Sequence, residues 1–259
     1  MPIHERFWDH FEFVLALTPA QKREVYALRY NVYTGEFGHQ MPGAPAQALE
    51  FDAFDACALH CLVRDRHTGE TVACIRVVSP GSAEAGLATL PVETHAEGYF
   101  SHADLIPTKL PRETICEVSR AAILGRYRKR LGGERVEADG CGEPGAIPHA
   151  EAIRVASLLG GAVYCASTVM IELVERRHAF ALMEPRLARL LGRFGLRFER
   201  VGELQPFNGV RAAYYIDQHR ARETLKPSLQ GFYQRIADTL SAQFAASNRH
   251  ATATRPDFA

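Results

Sequence analysis

The residues of this chain best suited to chemistry are charges set inside apolar segments. Arg29 lies among Leu28, Tyr30, Val32 and Tyr33. Glu50, Asp52 and Asp55 are interleaved with Phe51 and Phe54, just ahead of the apolar run ACALHCLV. Arg76 interrupts ACIRVV, and Glu117 and Arg120 interrupt TICEVSRAAIL. A charge taken out of water alone is costly, so such groups are held in pairs or networks. Three arginines against four carboxylates predict a partly buried ion network. A carboxylate there could move a proton, and an arginine's planar fork could hold a substrate carboxylate. Any one of these residues could equally be a structural ion pair; only as a set do they point to a site.

Metal chemistry finds little support. The six cysteines, Cys57, Cys61, Cys74, Cys116, Cys141 and Cys165, form no CxxC pair, and no histidine cluster completes a zinc pattern. They read as buried thiols in a reducing compartment. With 30 basic and 30 acidic residues the formal net charge is zero, whereas a dedicated nucleic-acid binder would carry a basic excess. The N-terminal MPIHERFWDHFEF lacks the apolar stretch of a secretory signal. Val155 to Ile171 is uncharged, but it carries Gly160, Gly161, Ser157, Ser167 and Thr168. It reads as a helix buried in a protein core, not a membrane span. A cytoplasmic location is expected by default.

The elements that must position the charges follow from pattern. Phe11 to Leu17 reads as a strand. Thr18, Pro19 and Gln21 then start a helix as N-cap, N1 and N3, with Val25, Leu28 and Val32 at helical spacing. YNVYTGEFGHQMPGAP is expected to be a loop. Ala58 to Arg66 and Thr71 to Ser79 form a hairpin around His67–Glu70. Pro80 to Arg112 is a long connection with a short helix, Thr114 to Leu124 a strand, and Gly125 to Pro148 a mobile loop. A long helix should run from His149 to Arg177, and a strand from His178 to Met183. A short helix opens at Glu184–Pro185 and closes at Gly195. Leu196 to Val201 and Val210 to Asp217 complete the strands. Residues 1–220 form the expected domain; 221–259 form a helical extension whose last dozen residues are disordered.

The spacing of the embedded charges resembles the acyl-homoserine-lactone synthases. These carry an arginine with an aromatic four residues on, then E-x-D-x-x-D, an arginine in the next strand region, and E-x-x-R on a central strand. Here the same order reads Arg29 with Tyr33, Glu50-Phe51-Asp52-Ala53-Phe54-Asp55, Arg76, and Glu117-Val118-Ser119-Arg120. The run HAFALMEPRLARLLGRFGLRFERVGELQPFNGVRAAYYID is similar to the closing half of N-acyl amino acid synthases, especially the acyltransferases associated with PEP-CTERM/exosortase systems. The resemblance covers roughly residues 11–220. The family's tryptophan after the first helix is absent: Phe37 lies nearby, and the only tryptophan, Trp8, comes too early. The interval from Arg76 to Glu117 is longer than a compact lactone synthase needs. Both departures weigh against a lactone synthase more than against an acyltransferase in general.

The resemblance implies a GNAT-like α/β fold, a mixed central sheet flanked by helices, and an N-acyltransferase. It implies an acyl carrier protein, or coenzyme A, as carrier of the acyl co-substrate, and an amino acid or similar small amine as acceptor. Glu117 is expected to be the base and Arg120 to orient it or anchor the network. Arg29, Asp52, Asp55 and Arg76 would bind or position the amine, with Glu50 structural. A backbone N–H at a bulge near Val118 to Ala121 would stabilise the oxyanion. GRYRKRLGGERVEADGCGEPG does not have the spacing of a pyrophosphate-binding turn. Its Arg126, Arg128, Lys129 and Arg130 would suit an acidic carrier protein or a pantetheine phosphate. Gly160, Gly161 and Ala162 could leave room for an acyl tunnel beside the apolar helix, although ordinary core packing is the default for such a face. The alternatives are a lactone synthase that uses S-adenosylmethionine, an acetyl-CoA-dependent N-acetyltransferase, and a non-catalytic module that binds acyl chains or a partner.

Overall fold

The computed structural model describes residues 3–81, 88–131 and 149–253. Helix α1 (Ile3–His10) and strand β1 (Phe11–Leu15) are followed by α2 (Pro19–Tyr30), which continues as a π-helical segment, Asn31–Glu36. Two short strands, β2 (Gly43–Ala44) and β3 (Leu49–Glu50), precede β4 (Ala58–Asp65) and β5 (Thr71–Val78). Next come α3 (Pro91–His95), β6 (Ile115–Ile123), α4 (Gly125–Leu131) and α5 (His149–Leu173). They are followed by β7 (His178–Met183), α6 (Pro185–Arg193), β8 (Glu199–Arg200), β9 (Gln205–Pro206) and β10 (Val210–Asp217). Helices α7 (Gln218–Glu223) and α8 (Pro227–Ala253) close the described chain.

Local signals set most boundaries. At the start of α2 the Gln21 N–H donates to Thr18 Oγ1 (3.3 Å), and the Thr18 N–H donates to Gln21 Oε1 (3.0 Å), a reciprocal cap. Val25, Leu28 and Val32 are buried, as their spacing predicts. Gly195 has φ 98°, and a Cβ there would lie 2.0 Å from the Thr224 carbonyl oxygen, so glycine is required after α6.

Other expectations are corrected. The loop expected from Tyr30 begins only after Glu36, because no proline stops the helix before Pro42 and Tyr33 is anchored across the sheet. Gly125 to Leu131 is helical, not loop; residues 132–148 lie outside the described residues. The strand expected over Leu196 to Val201 shrinks to Glu199–Arg200. Helix α8 continues to Ala253, well into the segment expected to be disordered. Among the described residues no helix is long and apolar enough to cross a membrane.

The main sheet runs β1-β4-β5-β6-β7-β10-β8, with β9 also pairing to β10. The β6–β7 pair is parallel and joins only Ile115 to His178, Cys116 to Ala179 and Glu117 to Phe180. Beyond Glu117 the two strands part. Between β5 and β6 the register slips: Cys74 faces Ala122, but Arg76 faces Ser119. One extra residue therefore bulges out of β6 there. Arg120, with φ 52°, takes the left-handed conformation that the bulge demands. The central strand thus opens on one side and kinks on the other within four residues of Glu117.

Candidate active site

The embedded charges assemble into a closed ring. Arg29 Nε donates to Glu50, and its two terminal nitrogens donate to Asp55 at 2.7 and 3.1 Å. Arg76 Nη1 donates to Asp55 (2.9 Å) and Asp52 (2.7 Å). Arg120 donates to Asp52 (2.9 Å) and Glu50 (3.1 Å). Arginine and carboxylate alternate around the circuit, so three positive charges balance three negative ones. Burial alone would raise the Asp55 pKa, but Arg29 and Arg76 hold it well below the usual carboxylate range. His60, buried beside Asp55 at 3.5 Å, is kept neutral by desolvation, with its pKa pushed down to about 3.

The ring bears on the roles expected of its members. Arg29, Arg76 and Glu50 have no exposed side-chain surface, while Asp52 (14%) and Arg120 (13%) reach the edge. Arg29, Asp52, Asp55 and Arg76 are tied into the ring, Arg76 also bonding Ser119 Oγ at 3.2 Å, and none lines the two cavities described below. Removing one member would strand a buried charge, which costs on the order of 3–5 kcal/mol. Arg120 bonds Glu50 and Asp52 and makes no hydrogen bond to Glu117 among the described residues, the geometry of the second expected alternative, an anchor of the network.

Glu117 stands apart from the ring, at the last paired position before β6 and β7 separate. Its Oε2 accepts the Val92 N–H at 2.5 Å, from the first turn of α3. Burial drives its pKa up to about 7, against the opposing pull of that N–H and of Arg76 and Arg120. It lines a narrow cavity of about 50 Å³ together with Tyr33, His95, Ser119, Arg120 and Arg211. His95 closes α3 and packs on Phe207, with ring centroids 4.7 Å apart. Desolvation, with help from Arg120, lowers its pKa and keeps the imidazole neutral. Sequence reading missed His95, which stands in no apolar run, and Arg211, although it interrupts the apolar run VRAAYYI as Arg76 interrupts ACIRVV.

A wider cleft of about 250 Å³ occupies the gap between the splayed strands, bordered by Val118 to Ala121, Ala181 to Glu184, Phe37, Tyr164 and Leu187. Tyr33, Ser119, Arg120, Leu182 and Arg211 belong to both cavities, so the two adjoin at the bulge. The Tyr33 hydroxyl donates to the Ala121 carbonyl at 3.0 Å and pins that kink. With no β7 partner beyond Glu117, the β6 backbone facing the cleft can hydrogen-bond a substrate.

Of the two α5 glycines, Gly161 lies away from the cleft. A Cβ on Gly161 would meet Phe194 and Leu229 at 3.6 Å, so Gly161 packs against the α6 end and α8; Tyr164 is the α5 residue that lines the cleft. Of the four expected carrier-binding cations, Arg126 pairs with Glu70, and Arg128 pairs with Glu36 and stacks on Phe37 at 4.2 Å. The side chains of Lys129 and Arg130 lie outside the described residues. Glu36 Oε1 also accepts the Gly125 N–H at 2.9 Å. A carboxylate thus sits where the turn after the central strand could offer its N–H to a phosphate. Of the cysteines, Cys57 is half-buried and Cys61, Cys74, Cys116 and Cys165 are buried, all as free thiols; Cys141 lies outside the described residues. No cluster suited to a metal occurs among the described residues.

The Acetyltransferase (GNAT) domain family model matches residues 28–136, the span from the end of α2 past the bulged strand. No curated protein matches the chain by sequence. Among solved structures, FeeM, an N-acyl amino acid synthase from uncultured soil microbes, aligns with a TM-score of 0.55 at 11% identity, over 86% of this chain and 96% of that one. The CoA-dependent acyl-homoserine lactone synthase BjaI, solved with MTA, gives 0.54 at 15% identity, over 93% and 99%. TofI, solved in a ternary complex with an inhibitor and MTA, gives 0.53 at 19% identity, over 84% and 99%. The fold is therefore GNAT-like, a mixed central sheet flanked by helices.

Proposed function

We propose that this chain is an N-acyltransferase that moves an acyl group from a thioester to the amine of an amino acid or similar small acceptor. The observation that carries the reading is Glu117, a buried carboxylate with a pKa of about 7 in the wall of the narrow cavity, two residues from Ser119 of the bulge where that cavity adjoins the splayed cleft. The thioester would lie along the cleft and the amine would enter from the narrow cavity. An ammonium cannot attack, so Glu117 takes its proton, directly or through a water. The freed amine then attacks the carbonyl carbon: a C–N bond forms, the C–S bond breaks, and the leaving thiolate takes up a proton. Negative charge on the carbonyl oxygen falls next to the bulge, where an unpaired β6 N–H can hold it.

The likeness to FeeM and BjaI supports acyl transfer. The Glu36 carboxylate at the Gly125 N–H disfavours a pyrophosphate there, which supports an acyl carrier protein as donor. Exposed Arg126, together with Lys129 and Arg130, would meet that acidic partner. The proposal extends to the PEP-CTERM/exosortase-associated branch on the sequence resemblance of residues 178–217 alone.

The test is to incubate the chain with long-chain acyl carrier protein, a pool of amino acids and S-adenosylmethionine, and to read products by mass spectrometry. An N-acyl amino acid is expected, and Glu117→Gln should lower its rate at least about 100-fold. Acyl-homoserine lactone with methylthioadenosine would move the assignment to a lactone synthase. Carrier-protein binding without any product would move it to a binding module.

A further inference from the structure

Arg211 is the guanidinium of this cleft that the ion ring does not consume. It sits near the start of β10, opposite Gln205 of β9, and contributes to the walls of both cavities. Its side chain makes no hydrogen bond or ion pair among the described residues, and its Nε is buried without a partner. Glu184 shares the wider cavity but forms no ion pair with it. The Phe207 ring lies 5.9 Å from the guanidinium carbon and rests on His95, so the hairpin tip and α3 hold Arg211 over the cavity. Asn208 and Gly209, with φ 47° and 103°, make the tight turn that places it there. A buried N–H without an acceptor is disfavoured, and the Arg211 side chain that carries it lines a cavity a substrate could fill.

We propose that Arg211 binds the carboxylate of the acceptor, which makes that acceptor an α-amino acid. Arg29 and Arg76 form no part of the cavity walls, and Arg120 is committed to Glu50 and Asp52. A carboxylate held on Arg211 leaves the amine on the adjoining carbon, directed at the cavity floor that Glu117 and His95 share. The narrow volume, about 50 Å³, takes the charged end of the amino acid. His39 and Met41 also line the cavity and are the residues its side chain would meet. The inference rests on the amine-acylating reading above and names the group that selects the amine.

The test compares alanine, leucine and phenylalanine with their decarboxylated amines, using the full chain and long-chain acyl carrier protein. The wild-type chain should prefer each amino acid. Arg211→Gln should lower kcat/KM for the amino acids about 10- to 100-fold, the range for one charge-assisted contact, and collapse the preference within each pair. Arg211→Lys should restore part of it. Calorimetric titration with the same amino acids reads the contact without turnover, and Arg211→Gln should weaken binding by the same factor. Retained preference and binding in Arg211→Gln, or a defect confined to the KM of the carrier protein, would overturn the assignment. Arg211-dependent amino-acid binding in a chain that acylates no amine would instead sink the acyl-transfer reading and leave the carboxylate site standing.

Discussion

At the residue scale, Glu117 and the ion ring show two fates of a buried carboxylate. Asp55 is held ionised by two arginines, whereas Glu117 has one backbone N–H and a great deal of burial. The consequence for stability has a definite sign. The folded chain binds the Glu117 proton more tightly than the unfolded chain, because the folded pKa, about 7, lies above the ordinary 4.5. Stability is therefore lost as pH rises from about 4.5 to about 7 and is level above that. Glu117→Gln, which keeps the shape and the acceptor for Val92, should remove this penalty. At pH 8 the variant is expected to be roughly 3 kcal/mol more stable than the wild type, with the gap nearly closed at pH 4.5. Urea melts at the two pH values check this; equal stability at pH 8 would mean that Glu117 titrates normally. A residue that gains stability and loses activity on one substitution is the signature of a base kept at a thermodynamic cost.

At the element scale, the site exists because two strands fail to stay paired and one is a residue too long. The β6–β7 ladder ends at Glu117, and the bulge at Arg120 turns the backbone beside the gap. Neither feature depends on a residue type that announces itself. Arg120 is not the glycine that a positive φ would suggest, and its conformation is set by its ties to Glu50 and Asp52. Tyr164 of α5 closes one side of the cleft. Tyr164→Ala should deepen that slot and shift the accepted acyl chains towards greater length, at a stability cost of roughly 3 kcal/mol or more for the buried ring. Product chain lengths by mass spectrometry decide the point. An unchanged profile would show that the acyl chain runs elsewhere.

At the scale of the whole molecule, α8 is packed into the body of the domain. Leu229, Phe232, Tyr233, Ile236 and Leu240 are buried. Phe232 meets Phe7 edge-on at 4.9 Å, and Gln243 bonds both the Phe13 carbonyl (3.0 Å) and the Leu15 N–H (2.8 Å). Five such side chains contribute on the order of 10 kcal/mol, comparable to the stability of a typical domain. Deleting residues 227–259 should abolish a cooperative thermal transition followed by circular dichroism; a truncated chain melting like the full one would show that the helix is dispensable. The sequence by itself determined the elements whose signals are local: the Thr18 cap, the β4–β5 hairpin, His178–Met183, and the glycine after α6. It also marked Arg29, Arg76 and Arg120 as charges to be paired, since burying a lone charge is costly. Tertiary structure alone decided how they were paired. It closed Arg29, Asp52, Asp55 and Arg76 into a ring behind the site, left Glu117 outside that ring, and brought His95 and Arg211 to it from segments far apart in the chain. Pairing and burial depend on distances through space, and no periodicity along one segment encodes what packs against it from another.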